Sequence, residues 1–309
     1  MMSKYYWGVD IGGTKIECAV LAYHDDSCVL RKRIATEQEK GYQSVLQRIK
    51  QLIDECAQEV GEYPCAIGFG TPGTLDPATG VMKNCNSTYL NGQAFDRDLA
   101  SVLGVKVALA NDANCFALAE TRLGAVHDVK PDAEIVFGII MGTGVGSGIV
   151  VNGKALYGCH GIAGEWGHNV LLPGGDECYC GKQGCVETVL SGKGLERYYR
   201  SLVEELGDHH GDNVTLKEIV QRAEQGEKAA LVTLERLYSY FGQAVAQVIN
   251  VIDPDVIVIG GGVGNIGGIY NHGKDAILPH LFNPVLNTQL VKPKLGDSAG
   301  VFGAAFLVK

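Results

Sequence analysis

The chain predicts an α/β protein of two domains, and three observations carry that prediction. Apolar, β-rich runs alternate with helical spacing along most of the 309 residues. A cycle of strand, glycine-rich turn and strand occurs twice, at 5–21 and at 134–152, the hint of a duplicated unit rather than a solenoid repeat. The length is enough for two domains with cores of their own. At 46% hydrophobic and 20% charged residues, the composition is that of a folded soluble chain. A net charge of −9 disfavours a nucleic-acid partner held by phosphate neutralisation, and the longest basic cluster is only Arg31-Lys32-Arg33.

The start, MMSKYYWGVD, lacks the cationic and apolar regions of a secretory leader. No apolar run reaches the roughly 18–20 residues of a membrane span. The longest, Ile135 to Val151, is interrupted by Gly142, Thr143, Gly144, Gly146, Ser147 and Gly148. Ten scattered cysteines without such a leader are expected to be reduced thiols in the cytoplasm.

Taken in order, Tyr5 to Asp10 reads as a buried strand ending in Gly12-Gly13-Thr14, and Lys15 to Leu21 as its hairpin partner. Ser27 to Ile34 is a third strand. Val45, Leu46, Ile49, Leu52, Ile53 and Cys56 fall at amphipathic spacing in a helix over Gly41 to Val60. Cys65 to Gly70 is an interior strand leading into the turn Thr71-Pro72-Gly73-Thr74. Val105 to Ala110 is another, and Asn111 or Asp112 caps a helix over Ala113 to Leu123. The second cycle begins with a strand at Glu134 to Met141 and continues as a strand from Ile149 to Asn152. Helices follow at Gly184 to Leu206, Thr215 to Gln225 and Glu227 to Val251, the last stopped by Asp253-Pro254. Val256 to Ile259 is a strand that enters Gly260 to Gly264, with a helix expected to follow to about His280. A turn at Gly296-Asp297 and a short helix of small residues close the chain. The segment 207–212, with His209 and His210, is expected to be a surface loop.

Between Glu165 and Glu187 the sequence reads EWGHNVLLPGGDECYCGKQGCVE. His168, Cys178, Cys180 and Cys185 supply one imidazole and three thiols, the ligand set of a closed structural zinc site. Two cysteines one residue apart face a single ion only if the backbone turns sharply, which Gly181 and Gly184 allow. A reduced, metal-free cluster is the alternative. A redox pair fits less well, because the spacing is not C-x-x-C. Glutamates at both ends suggest a loop that holds carboxylates still.

Three glycine-rich turns follow β-rich runs: Asp10 to Lys15, Gly142 to Gly148, and Gly260 to Gly264. Backbone amides in such turns can cradle an anion. None has the P-loop spacing, and Gly142 to Gly148 lacks the dinucleotide-binding spacing and runs into a strand. Asp10, at the end of the first strand, is either a turn cap or a carboxylate that positions Mg²⁺ near phosphates. Asp112 is either a helix cap or a base for a hydroxyl attacking a phosphoryl group.

These segments together spell a family. Asp10-Ile-Gly-Gly-Thr-Lys15, Gly68-Phe-Gly-Thr-Pro-Gly73, Asn111-Asp-Ala-Asn114, Gly142-Thr-Gly-Val-Gly146, Gly164-Glu-Trp-Gly-His168, the cysteine run through Glu187, and Asp255-Val-Ile-Val-Ile-Gly-Gly-Gly262 make the whole chain resemble the ROK sugar kinases. These belong to the hexokinase and actin-like ATPase superfamily. The resemblance implies two ribonuclease-H-like α/β domains around a cleft, with a structural zinc loop. One spans 1–117 and regains the C-terminal helix 296–309; the larger spans 118–295.

It also implies roles. Asp112 is the general base for a hexose 6-hydroxyl, and Gly73, Asn84, Asn111, Glu165, His168 and Glu187 bind the sugar. Asp10, Gly12, Gly13, Thr14 and Lys15, with Gly142, Thr143, Gly144 and Gly146, hold Mg²⁺ and the phosphates of ATP. Gly261 and Gly262 lie near the adenosine. His168 serves twice, with one nitrogen on zinc and the other toward a sugar hydroxyl. A homodimer is implied. With the first phosphate turn at residue 12, the N-terminal DNA-binding region of ROK repressors is not expected.

The run Asn84 to Asp96 is similar to the fructokinase/mannokinase branch, with Tyr89 in place of its usual Trp. Fructose is therefore the expected sugar; N-acetylglucosamine and glucose are the alternatives within the family. A catalytically silent sugar sensor and an ATPase or acetate-kinase-type enzyme are the alternatives outside that activity.

Overall fold

The computed structural model describes residues 3–205 and 214–309. Leu206 to Asn213 lie outside them, and with them the expected loop at 207–212. The chain divides into two compact units: Met1–Pro131 with Gly148–Ala163 and Lys294–Lys309, and Asp132–Ser147 with Gly164–Pro293.

The first unit is built on β1 (Tyr5–Ile11), β2 (Lys15–Ala22), β3 (Cys28–Ala35), β4 (Ala66–Thr71) and β7 (Lys106–Asn111), ordered β3-β2-β1-β4-β7. The short strands β5 (Thr74–Leu75) and β6 (Met82–Lys83) form a separate ribbon. The β1–β2 and β2–β3 pairs are antiparallel, whereas β1–β4 and β4–β7 are parallel. Trp7, Val9, Ile11 and Ile67 are buried, as expected of central strands covered on both faces. On one face lies α1 (Tyr42–Val60), whose six apolar positions read from the sequence are all buried. Helix α2 (Phe95–Leu103) adds Phe95 and Leu99 to the same core.

The C-terminal helix Ala299–Phe306 packs on β1 and β4. Its backbone comes so close that a methyl on Gly8 would overlap Val301 O and Ala305 N, and one on Gly68 would overlap Ala304 O. Helix α3 (Asp112–Arg122) lies against the same C-terminal helix, and α4 (Ala125–Val129) follows it. Inside α3, Glu120 is fully buried. Its carboxylate accepts from Ala125 N at 2.7 Å, Lys294 N at 3.0 Å and Leu295 N at 2.8 Å. One side chain thus caps α4 and fastens the segment that leads back to the C-terminal helix. The expected boundary at 117 falls inside α3, and a hydrogen-bonded helix does not divide; the unit runs on to Pro131 and takes in Gly148–Ala163.

The second sheet contains β8 (Ile135–Met141), β9 (Val145–Val151), β10 (Lys154–Ala155), β11 (Val256–Gly260) and β12 (Gln289–Val291), ordered β10-β9-β8-β11-β12. The division between units cuts β9 after Ser147. Here too the first strand is central, its second neighbour runs on one side, and parallel strands β11 and β12 lie on the other. The same order in both sheets makes the duplicated cycle a topological fact, and the fold is the ribonuclease-H-like pair expected.

The helices of the second unit are α5 (Val186–Leu190), α6 (Gly192–Glu205), α7 (Leu216–Glu224) and α8 (Lys228–Ile252). Two expectations fail here. The helix expected from Gly184 to Leu206 starts only at Val186 and breaks at Ser191, whose Oγ caps the amide of Gly194 at 3.1 Å. The helix expected after the Gly260–Gly264 turn and up to about His280 is a string of single turns, at Gly261–Gly264, Gly267–Tyr270, His272–Asp275 and Leu278–His280. Glycine-rich backbone has too little helix propensity to run on. Among the described residues no helix is long and apolar enough to cross a membrane.

Candidate functional site

In the first unit the candidate residues sit at strand ends. Asp10 is the penultimate residue of β1, opposite Glu17 and beside Gly70. The turn that follows is closed by Gly12 N donating to Lys15 O at 2.9 Å, and the Thr36 hydroxyl holds Gly12 O at 2.8 Å. Gly13 and Thr14 form its tip.

At the end of β7, Asn111 is the N-cap of α3. Asn111 Oδ1 and Asp112 Oδ1 both accept from Ala113 N, at 2.8 and 2.7 Å. The shared amide fixes the rotation of both side chains. It leaves the Asp112 carboxylate exposed at a helix start that favours negative charge.

Asp10 keeps some exposed surface but is closely packed. Burial, with the Asp112 and Glu17 carboxylates nearby, pushes its pKa up to about 7. A cation at this position would relieve the repulsion, and oxygen donors of this kind suit Mg²⁺, so the residues fit that ion. The sign of the linkage is testable in the absence of any ligand. The unfolded aspartate titrates near 3.8 and the folded one about 7, so the folded protein takes up the extra proton between them. Stability falls as pH rises through that window and levels off above it. Asp10→Asn carries no charge. It should raise the melting temperature at about pH 8 and change it little at about pH 4, by thermal unfolding at both.

Gly73 follows β4 and is pressed against the Cys85 thiol and Lys83 O, too close for a side chain. Asn84 adopts a left-handed backbone with φ of 57°, a conformation that asparagine tolerates. The segment after it is a loop built to pack. Asn91 Oδ1 accepts from Cys85 N at 2.9 Å and its amide donates to Cys85 O at 3.2 Å. Leu90 and Phe95 are buried and Tyr89 packs on the same core.

In the second unit a single 3₁₀ turn, Trp166–His168, presents Glu165 and His168. Trp166 anchors it edge-on against Phe137 of β8, ring centroids 5.8 Å apart, and the Ser147 hydroxyl donates to Gly164 O. Burial raises the pKa of Glu165, with Glu187 adding to the effect and His168 opposing it.

Glu187, in the first turn of α5, donates nothing and accepts from Val145 N at 2.9 Å through Oε2. That contact ties a carboxylate expected to bind sugar directly to the glycine turn expected to bind phosphate. A methyl on Gly144 would strike the same oxygen. The turn itself is shorter than expected: Gly142, Thr143 and Gly144 form it, while Gly146 already belongs to β9. It is closed by Gly142 N to Gly144 O at 2.9 Å and pinned by Gly192 N to Gly142 O at 2.8 Å.

The metal-type donors converge. His168, Cys178, Cys180 and Cys185 each offer a ligand atom, and all of these lie within 4.8 Å of one another. Cys178 Sγ is 3.5 Å from His168 Nδ1, and Cys180 Sγ is 3.6 Å from Cys185 Sγ. Zinc–sulfur bonds of about 2.3 Å in a tetrahedron place thiolates about 3.8 Å apart, so the spacing fits the ion. Amides shape the loop: Cys178 N donates to Lys182 O at 2.8 Å, and Leu171 N and Leu172 N both donate to Gly184 O. Gly184 itself has φ of 68° and sits directly under Leu172 O, a place only glycine can fill. Tyr179, not singled out by sequence, reaches back so that its hydroxyl lies 3.0 Å from His168 Nε2.

Gly261, with φ of 83°, turns the chain out of β11 directly beneath Met141 O. A cavity of about 810 Å³ opens just beyond, lined among others by Ile266, Gly267, Gly268, Leu234 and Tyr238, a size suited to a small organic ligand.

The ROK family model matches residues 6–309. An N-acetyl-D-glucosamine kinase from Pasteurella multocida is 36% identical, over 97% of this chain and 98% of its own length. The ROK hexokinase from Thermus thermophilus superposes with a TM-score of 0.85 at 31% identity, covering 98% of this chain and 97% of that one. A ROK family glucokinase from Streptomyces griseus, solved with glucose and AMPPNP, gives 0.75 at 28% identity, with 98% of each chain covered. With a family model matched over nearly its whole length and a relative of this identity, the chain belongs to the ROK family.

Proposed function

We propose that this ROK chain is an ATP-dependent hexose kinase whose sugar is N-acetylglucosamine. The observation that carries the sugar choice is the 36% identity to an N-acetyl-D-glucosamine kinase over 97% of the chain. The Asn84 to Asp96 pattern pointed to fructose or mannose, but in the structure its side chains build a loop and a core, with Asn91 closing the loop on Cys85. A pattern kept for packing says little about a sugar.

The roles follow from the chemistry of the groups. Asp112, held by Ala113 N, accepts the 6-hydroxyl proton as the phosphoryl group transfers. Asn111 has its Oδ1 on the cap, so its amide NH₂ is the part left for a hydroxyl. Glu187 has Oε2 on Val145 N, which leaves Oε1 to accept from the sugar. Glu165, held above the ordinary carboxylate range, accepts a second hydroxyl. Gly73 and Asn84 complete the set of residues assigned to the sugar. The amides of Gly12 to Thr14, with Lys15, and those of Gly142 to Gly144 hold phosphate oxygens. Gly146, in β9, is left out of that set.

Asp10 would position Mg²⁺, which would supply charge neutralisation at the phosphates. The adenosine lodges past Gly261 and Gly262 in the cavity at Ile266. His168 Nδ1 and the thiols of Cys178, Cys180 and Cys185 would hold zinc, which would fix the imidazole with its proton on Nε2.

A coupled ADP-release assay across N-acetylglucosamine, N-acetylmannosamine, glucose, mannose and fructose tests the reading. The expected result is the highest kcat/KM with N-acetylglucosamine. A clear preference for fructose would restore the first expectation, and no release with any sugar would favour a silent sensor. Metal analysis of protein purified without chelator should find about one zinc per chain from the Cys₃His set; fully active protein without it would remove zinc from the account.

A further inference from the structure

The nitrogen that the sugar is expected to meet is already engaged. His168 turns Nδ1 toward the Cys178 thiol at 3.5 Å and Nε2 toward the Tyr179 hydroxyl at 3.0 Å. With Nδ1 committed to a metal, Nε2 carries the proton and donates it, so the Tyr179 oxygen stands where a ligand hydroxyl oxygen would stand.

The tyrosine is held there lightly. The residue is 75% exposed, its ring meets the imidazole edge-on with centroids 5.1 Å apart, and the bond to His168 is its only hydrogen bond among the described residues. Its backbone is fixed by the turn in which Cys178 N donates to Lys182 O and Gly181 N to Cys178 O. The ring can therefore leave by side-chain rotation alone, without disturbing Cys178 or Cys180.

Resting on the sugar-kinase reading of this site, we propose that Tyr179 is a displaceable placeholder on His168 Nε2, exchanged for a sugar hydroxyl on binding, and thereby lowers sugar affinity. The exchange swaps one neutral hydrogen bond for another, so the sugar gains little from His168 while the tyrosine is present. Tyr179 is a specificity-setting residue and takes no part in phosphoryl transfer. A sugar that offers no hydroxyl to His168 would not have to displace it.

The test is sugar binding by calorimetry, with kcat, KM and zinc content, for the full chain and for Tyr179→Phe and Tyr179→Ala. Loss of the competing hydroxyl should tighten sugar binding and lower KM about three- to tenfold, the weight of one hydrogen bond of modest net strength. kcat should stay within about twofold and zinc at its wild-type content. Unchanged affinity in both variants, or weaker binding in either, would overturn the proposal, the latter making Tyr179 a sugar ligand. Loss of zinc from Tyr179→Phe would make it a support of the loop and overturn the proposal as well. Failure of the wild-type protein to bind any hexose would be a different result, one that removes the kinase reading and this proposal together.

Discussion

Asp112→Asn should lower kcat by about 10²- to 10⁴-fold, the usual contribution of a positioned general base, while the sugar Kd stays within a few-fold. The substitution keeps the shape and an oxygen able to accept from Ala113 N, the contact that fixes the side chain at 2.7 Å. It removes the negative charge and with it the ability to take a proton. Because Asn111 caps the same amide at 2.8 Å, α3 should keep its start, and the melting temperature should move little. Stopped kinetics together with equilibrium sugar binding separate the two effects. Turnover near wild type would end the assignment of Asp112 as base, leaving it a second cap.

The largest loss of stability is expected far from that chemistry. Glu120→Ala should destabilise the protein by about 3 kcal/mol, since it leaves three part-buried amides without their acceptor, each costing about 1 kcal/mol or more when unpaired. Those amides belong to Ala125, Lys294 and Leu295, and the carboxylate that they share is itself fully buried. Glu120→Gln keeps one acceptor oxygen and should lie between the two. Urea unfolding of the three proteins gives the order directly. An alanine variant within about 1 kcal/mol of wild type would mean that the three amides find other acceptors.

Where the sequence pattern is periodic, it was legible to within a residue or two. The strands beginning at Tyr5, Lys15 and Val256 and the helix ending at Val60 appear where expected, because a central strand or a half-buried helix must repeat its apolar residues. Asn111 as a cap and the convergence of His168, Cys178, Cys180 and Cys185 were equally legible, since each depends on local spacing. The misses fall where periodicity says nothing. Ser191 breaks the helix by capping Gly194 N, the glycine-rich run after Gly261 has too little helix propensity to continue, and Gly146 joins β9. Tyr179 was invisible because its partner is a histidine 11 residues earlier that only loop closure brings near. The expectation of fructose rested on the run around Asn91, which in the structure closes a loop, while the relatives favour the alternative, N-acetylglucosamine.

The C-terminal helix that lies against Gly8 and Gly68 sets an order for biosynthesis. A ribosome delivers the β1 to β7 framework early, yet that framework lacks one covering layer until Ala299–Phe306 has emerged. The second unit, whose residues end at Pro293, is complete before the first. The half that is made first therefore finishes folding last. In the interval its unprotected strand face is the part of the nascent chain with most reason to meet a chaperone.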